Sequence, residues 1–322
     1  MIKLDSYDKR ILYELDVNAR SSASEIAKKI KLAKETVNYR IKRVTKEGLV
    51  KKFYTVFNPS LVGCTSFYIY LKFHKLTSNI EKNIVEYFMD DRRCRKIRVL
   101  EGKYSISFLT IHRNITLLQN FIRSFLDKFG EYVIAKDIHI LTKTHKLNQQ
   151  FLLSGNTVKN SFSEVEDKRY SLDKIDIKII EQLSANARIR LADLARAIDV
   201  DHKIIRYRIR KLEQKGIIVA YTTNLNLEQL KREFIQIDIC LKNPSTVSSI
   251  IEFFDKTNNC LFAYELLGVY DVSIEVYFDS DDKLMETLDQ FKKRFIEDYL
   301  YYDISHIYKE YMLDWYPDEA GP

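Results

Sequence analysis

Two short stretches carry most of the side chains able to recognise a polar partner. In the first, Lys34, Thr36, Asn38, Tyr39 and Lys42 share a helical wheel with an apolar stripe at Val37, Ile41 and Val44. In the second, 168 residues further on, His202, Lys203, Arg206, Tyr207 and Arg210 accompany Ile205, Ile209 and Leu212. A short helix with one buried stripe and a basic, hydrogen-bonding remainder suits the major groove of duplex DNA. Asparagine matches the paired groups of an adenine edge and arginine those of guanine, so Asn38 facing Arg206 across the repeat predicts two heads that read different bases. Arg40, Arg43, Arg208 and Lys211 suit phosphates, which position a protein without specifying sequence. Lys51 and Lys52 are further phosphate candidates, replaced in the second copy by Val219 and Ala220. The plain alternative is a solvated basic face. It would be preferred for a lone helix, whereas repetition in the same context favours DNA.

Other chemistries find little footing. The six histidines show no H-x-x-x-H pair, and His139 and His145 have no cysteine nearby, so no metal or other cofactor is expected. Asp279-Ser280-Asp281-Asp282 lacks the glycine and the terminal acid of a calcium loop and reads as a helix start. No G-x-S-x-G, G-x-x-x-x-G-K or G-x-G-x-x-G occurs.

The elements that must position these side chains repeat in order. Asp5 and Asp8 open one helix, Ser22 and Glu25 form a capping box for a second, and the basic helix is the third. Gly48 then leads into a β-branched run, expected to be a two-stranded ribbon over 49–56, which would complete a winged helix-turn-helix. Leu172, Asp173, Asp176, Asn186, Ala187 and Arg188 restart the series at the positions of Leu4, Asp5, Asp8, Asn18, Ala19 and Arg20. After each copy, strand and helix patterns alternate as βαββαβ, the ferredoxin-like split βαβ unit. The predicted architecture is α+β. A winged helix-turn-helix over 1–60 is followed by a βαββαβ domain over 61–147 and a polar, aperiodic linker over 148–171. A second winged helix-turn-helix spans 172–228 and a second βαββαβ domain 229–316. Phe151, Leu152 and Leu153 are expected to pack on the first half.

Charge is sorted along this order. Segments 3–55 and 66–147 each carry +7, 172–223 carries +4, and 233–316 carries −10. The acidic domain reads plainly as a solubilising surface. More sharply, a −10 domain should pair with a +7 domain rather than with its own copy, giving a dimer built into one chain. Four scattered cysteines, the absence of a long apolar run and the polar start MIKLDSYDKR lead us to expect a reducing, cytoplasmic setting and no membrane partner.

These motifs together (L-D-x-x-D, N-A-R, Y-R-I in each basic helix, G-[LI]-[IV] after it, and Gly268-Val269-Tyr270-Asp271) resemble the Lrp/AsnC, or feast/famine, family, present as two complete modules. The resemblance implies double-stranded DNA as partner, transcriptional regulation, and pairing of βαββαβ domains within the chain and between chains. It also implies an amino-acid effector near the turn after the second βαββαβ strand, here Gly268, Tyr270 and Asp271. Asp271 would pair with an amino group; its plainer role is to cap a tight turn. The first copy has Gly102-Lys103-Tyr104-Ser105 there, without the acid. Siroheme decarboxylases are similar in domain layout, and the run Arg92, Arg93, Arg95, Lys96, Arg98 would have to meet their substrate's carboxylates. An effector-less architectural DNA protein is a third reading.

Overall fold

The computed structural model describes residues 3–147, 149, 151–153 and 160–314. The first tri-helical unit comprises α1 (Ser6–Val17), α2 (Ala23–Ile30) and α3 (Lys34–Lys46), followed by strand β1 (Val50–Phe57). Asp5 and Asp8 form a reciprocal capping box on α1, and Ser22 and Glu25 one on α2; Ala33 leaves α3 without a side-chain cap. Gly48, at φ 73°, takes the left-handed conformation that turns the chain out of α3 into β1.

The first βαββαβ domain runs β2 (Thr65–Phe73), α4 (Ser78–Met89), β3 (Cys94–Glu101), β4 (Ile106–His112), α5 (Ile115–Phe129) and β5 (Val133–Lys146). Within the expected linker, β6 (Asn160–Ser163) pairs antiparallel with β5, so part of that segment is a strap on the barrel. Leu152 is buried among Leu12, Val44 and Leu225, in a cluster against which Phe151 packs.

The second copy follows: α6 (Lys174–Ala185), α7 (Leu191–Ile198), α8 (His202–Gln214), β7 (Ile218–Leu225), β8 (Glu233–Leu241), α9 (Val247–Lys256), β9 (Cys260–Leu267), β10 (Val272–Phe278), α10 (Asp281–Phe295) and β11 (Tyr299–Met312). Asp201 caps α8 by accepting from the Lys203 amide at 2.7 Å.

The expected wing is not a hairpin within each module. β1 pairs antiparallel with β7 of the other module, Tyr54 opposite Thr222. A single β-branched run looks the same in sequence whether its partner strand is local or distant, which is why the ribbon was misplaced.

The two βαββαβ sheets also join. β3 pairs with β11 and β5 with β9, and β2 pairs with β5, so eight strands close in the circuit β2–β4–β3–β11–β8–β10–β9–β5. Closure leaves a helix-covered outside and a lumen. Alternation along β2 sorts its residues accordingly. Phe67, Ile69, Leu71 and Phe73 pack beneath α4 and α5, and Tyr68 and Tyr70 join the inner cluster. β8 does the same, with Ile235, Ile237, Ile239 and Leu241 outward and Phe234, Gln236 and Asp238 on its other face. Each fully buried large apolar side chain, Phe88 or Phe254 for example, contributes about 1.5–3 kcal/mol.

The lumen is polar, aromatic and charged. Arg98, fully buried, reaches Glu275 and Glu310, both at 2.7 Å. Lys96 adds a 3.2 Å contact to Glu275. Tyr68 donates to Gln236, and Tyr70 to Asp238, both at 2.9 Å. Burial opposes charge on Arg98, but Glu275 and Glu310 outweigh it and keep the guanidinium protonated. Burial likewise raises Glu275, and Arg98 and Lys96 overcome it, holding the carboxyl well below its usual range. Further ion pairs cross the domain junction in the same sense, Lys103 to Asp303 at 3.1 Å and Lys143 to Glu265 at 3.5 Å, while Lys309 to Glu81 runs in the opposite one.

Candidate nucleic-acid interface

α3 and α8 each bury the predicted stripe and leave the rest of their surface open. Val37, Ile41 and Val44 face the first tri-helical core, and Ile205, Ile209 and Leu212 the second. Lys34, Asn38, Tyr39 and Lys42 are exposed and Thr36 is half-buried; His202, Lys203, Arg206, Tyr207, Arg210 and Lys211 are exposed. Tyr39 and Tyr207 stand out at 66% and 61% exposure, which large aromatic rings seldom keep without a partner.

The expected phosphate contacts divide. Arg40 is held by Asp5 and Asp8, both at 2.7 Å, and Arg43 by Asp8 at 2.6 Å. Arg208 is held in the same way by Asp173 and by Asp176, the latter at 3.2 Å. Hydrogen bonds donated to Asp5 and Asp8 hold the Arg40 pKa above its ordinary value. These arginines brace each recognition helix against the first helix of its unit, and the L-D-x-x-D motif supplies their partners. Lys211 lies over the Tyr207 ring, and Lys52 pairs with Asp314. Lys51 remains exposed.

What sets one recognition helix relative to the other is a reciprocal clasp. The N-A-R motif pointed to it by its repetition, although its role was not legible. Arg20 donates to Ala187 O at 2.7 Å and Ile189 O at 3.3 Å. Arg188 donates to Ala19 O and, at 3.0 Å, to Ser21 O. The Ala19 amide bonds Tyr221 O, and the Ala187 amide Phe53 O. Asn18 and Asn186 each accept from the amide two residues on and so fold the chain that aims the arginine.

A second junction ties this tier to the barrel. Asp16, fully buried on α1, accepts from Thr222 Oγ1 (2.7 Å), the Gln149 amide (2.9 Å), Gln149 Nε2 (3.1 Å) and Lys146 Nζ (3.1 Å). No sequence motif marked it, because its members lie on three distant segments.

The turn at Gly268 sits at the domain junction. A Cβ on Gly268 would lie 2.4 Å from His139 Cδ2, and one on Gly102 would lie 2.7 Å from Ile304 O. Each turn therefore docks on the opposite domain at a distance only glycine permits. Tyr270 is buried, donates to Asp303 at 2.5 Å and stacks on His139. The Asp271 carboxylate accepts the Leu241 amide at 2.7 Å, while Ser105 Oγ meets the matched Phe73 amide at 3.5 Å. Ser105 and Asp271 thus serve the same backbone position.

The basic run on and before β3 is committed internally: Arg93 to Asp91, and Lys96 and Arg98 to Glu275. Among the described residues no group of three His, Cys, Asp or Glu side chains could hold a metal ion, and no helix is long and apolar enough to cross a membrane.

Comparison with known proteins agrees with this layout. A winged helix-turn-helix DNA-binding family model matches residues 4–51 and 172–219. The regulatory protein AsnC of Escherichia coli K12 is 30% identical over 122 residues, 38% of this chain and 80% of that protein. The transcriptional regulator Ptr1 of Methanocaldococcus jannaschii is 29% identical over 100 residues, 31% of this chain and 68% of that one. The crystal structure of the siroheme decarboxylase NirDL superposes with a TM-score of 0.66, covering 98% of this chain and 96% of that one. At 10% identity this likeness is one of fold alone. With two helix-turn-helix units in register and an AsnC relative aligned over most of its length, the chain belongs to the Lrp/AsnC family of transcriptional regulators.

Proposed function

We propose that this protein is a sequence-specific DNA-binding transcriptional regulator that acts as a pseudo-dimer within one chain. The observation that carries the reading is the pair of exposed, unlike recognition surfaces fixed to each other by β1–β7 and the Arg20–Arg188 clasp. α3 presents Asn38 and Lys42, and α8 presents Arg206 and Arg210. Two rigidly joined heads of different chemistry suit an operator of two unlike half-sites, one helical turn or a multiple apart. Such a protein works wherever the chromosome is, hence in the cytoplasm.

A decarboxylase reading needs free cations facing a substrate's carboxylates. Lys96 and Arg98 are instead neutralised by Glu275 and Glu310, which favours the regulator over an enzyme.

Fluorescence anisotropy with duplex DNA from the protein's own upstream region, against a scrambled duplex over a salt series, tests the proposal. A steep salt slope with preference for the upstream duplex is expected. Equal affinity for both duplexes would make it an architectural DNA protein. Absence of binding at low salt would sink the reading and turn attention to a tetrapyrrole titration.

A further inference from the structure

Two mouths of the barrel face the helix-turn-helix tier, and the internal repeat makes them one site in two versions. Thr55, Phe57, Ser66, Ile111 and Thr144 line the first, and the matched Thr223, Leu225, Phe234, Tyr277 and Glu310 line the second. The first encloses about 90 Å³ and the second about 370 Å³. The strap accounts for the difference. In the first half β2 pairs with β5 as far as Ile140, and β6 then takes its place beside residues 143–146, with the Glu164 amide bonding Thr142 O. Phe162, opposite Thr144, enters the mouth together with Glu164, which accepts from Ser66 Oγ at 2.8 Å and Thr144 Oγ1 at 2.9 Å. In the second half β8 pairs with β11 as far as His306. Beyond that point, among the described residues, β11 has β3 on one side and no strand on the other.

An open strand edge beside a pocket is the arrangement by which an extended peptide adds to a sheet, its backbone giving affinity and its alternate side chains specificity. The strap shows the form of such an occupant on this fold: an aromatic ring, then a polar group two residues on. The surroundings of that polar group differ in the second mouth. The hydroxyl donors Ser66 and Thr144 are replaced by Phe234 and Glu310, and Glu228 and Glu233 stand exposed in the lining. Arg98 shares Glu310, and the His306 ring is 3.7 Å from Glu233. Two cations of the lining are turned to other partners, Lys96 to Glu275 and Arg232 to the Phe151 ring, 4.3 Å from its centroid, while Lys51 is exposed. Carboxylates near the place of the strap's own acid repel an acid and suit a cation.

We infer that the second mouth binds an extended segment of a partner protein that carries an aromatic residue and, two positions later, a lysine or arginine. The segment pairs with β11 beyond His306 as β6 pairs with β5. Its ring takes the place matched to Phe162, against Phe234 and Tyr277, and its cation meets Glu233 and Glu310. Residues 315–322 of the chain itself carry Asp318 and Glu319, the opposite charge to this pattern. Thr223 and Leu225 belong to β7, which follows the second recognition helix. Any effect of the partner on operator reading rests on the DNA-binding proposal above; the peptide site does not.

The test is isothermal titration calorimetry of the full chain, without DNA, with a capped peptide of residues 159–165 carrying Glu164→Lys. One equivalent should bind, and amide exchange at residues 308–312 should slow at saturation. The peptide that keeps Glu164 should bind about tenfold more weakly, and so should the basic peptide with Phe162→Ala added. In the protein, Glu228→Lys with Glu233→Lys, both at exposed positions, should reverse the preference between the basic and acidic peptides. No saturable heat at millimolar peptide would overturn the site. So would equal affinity for the two peptides, an unchanged preference in the charge-reversed protein, or exchange that quickens at Asn160–Ser163 in place of slowing at β11, which would put the peptide in the first mouth. Binding seen only after removal of residues 315–322 would make the chain's own tail the occupant. Concentration-dependent doubling of mass, lost in the charge-reversed protein, would make it a second copy. Either result overturns the partner. None of these outcomes alters the DNA anisotropy result, so the two readings fail separately.

Discussion

Arg98 and Tyr264 occupy equivalent places on β3 and β9, as do Leu109 and Glu275 on β4 and β10, and Thr144 and Glu310 on β5 and β11. The first domain puts the cation in the lumen and the second puts the acids there. In a two-fold homodimer every residue is present twice, so an Arg98-to-Glu275 contact would bring a second copy of both charges into the same small lumen. Covalent fusion removes that constraint, and the halves have become complementary rather than identical.

The largest test of this comparison is to break the complementarity. Glu275→Gln leaves the buried Arg98 and Lys96 short of negative charge and should cost ~3–5 kcal/mol in denaturant unfolding. Replacing Arg98 and Glu275 together by methionine should recover most of that loss. A cost below ~1 kcal/mol for the single change would show that the charges are incidental to pairing.

A second asymmetry, the strap, is open to pH. Burial raises Glu164 to about 7 from the ordinary 4.5, against the pull of Ser66, Thr144 and Arg95. Its folded pKa lies above its unfolded one, so folding favours the protonated form. The stability it contributes is complete below about 4.5, declines from there, and is gone above about 7. Amide exchange at Asn160–Ser163 should therefore be faster at pH 8 than at pH 5.5 beyond the intrinsic base-catalysed increase. Glu164→Gln should remove the difference.

The recognition helices sharpen the contrast further. Arg206→Ala should weaken operator binding by ~1–3 kcal/mol and relax preference at one half-site only, and Asn38→Ala should do the same at the other. If both substitutions blur the same half-site, the heads are not distinct readers. The smallest effect is expected at the clasp. Arg20→Ala or Arg188→Ala should each cost ~1 kcal/mol of stability and widen tolerance for half-site spacing.

Much of the architecture was legible because it depends on periodicity and repetition. The capping boxes at Asp5 and Ser22, the stripes of α3 and α8, and both βαββαβ orders follow from local pattern. The charge sorting also anticipated which domain would meet which. Long-range partnership was not legible. Arg40 and Arg208 look like phosphate ligands until Asp5, Asp8, Asp173 and Asp176 are seen around them. A single strand such as β1 carries no mark of its partner. The place of the strap depends on a groove formed elsewhere, and the Asp16 junction exists only once the fold brings Lys146, Gln149 and Thr222 to it.

The pairing of β1 with β7 has a consequence for dose. When two reading heads must first meet as separate molecules, the concentration of pairs able to engage an operator rises with the square of protein concentration at low copy number. Here the meeting is intramolecular and its effective concentration is set by the chain itself. Operator occupancy should then rise with the first power of protein concentration, without a dimerisation threshold, so a cell holding a handful of copies would already have every one of them assembled.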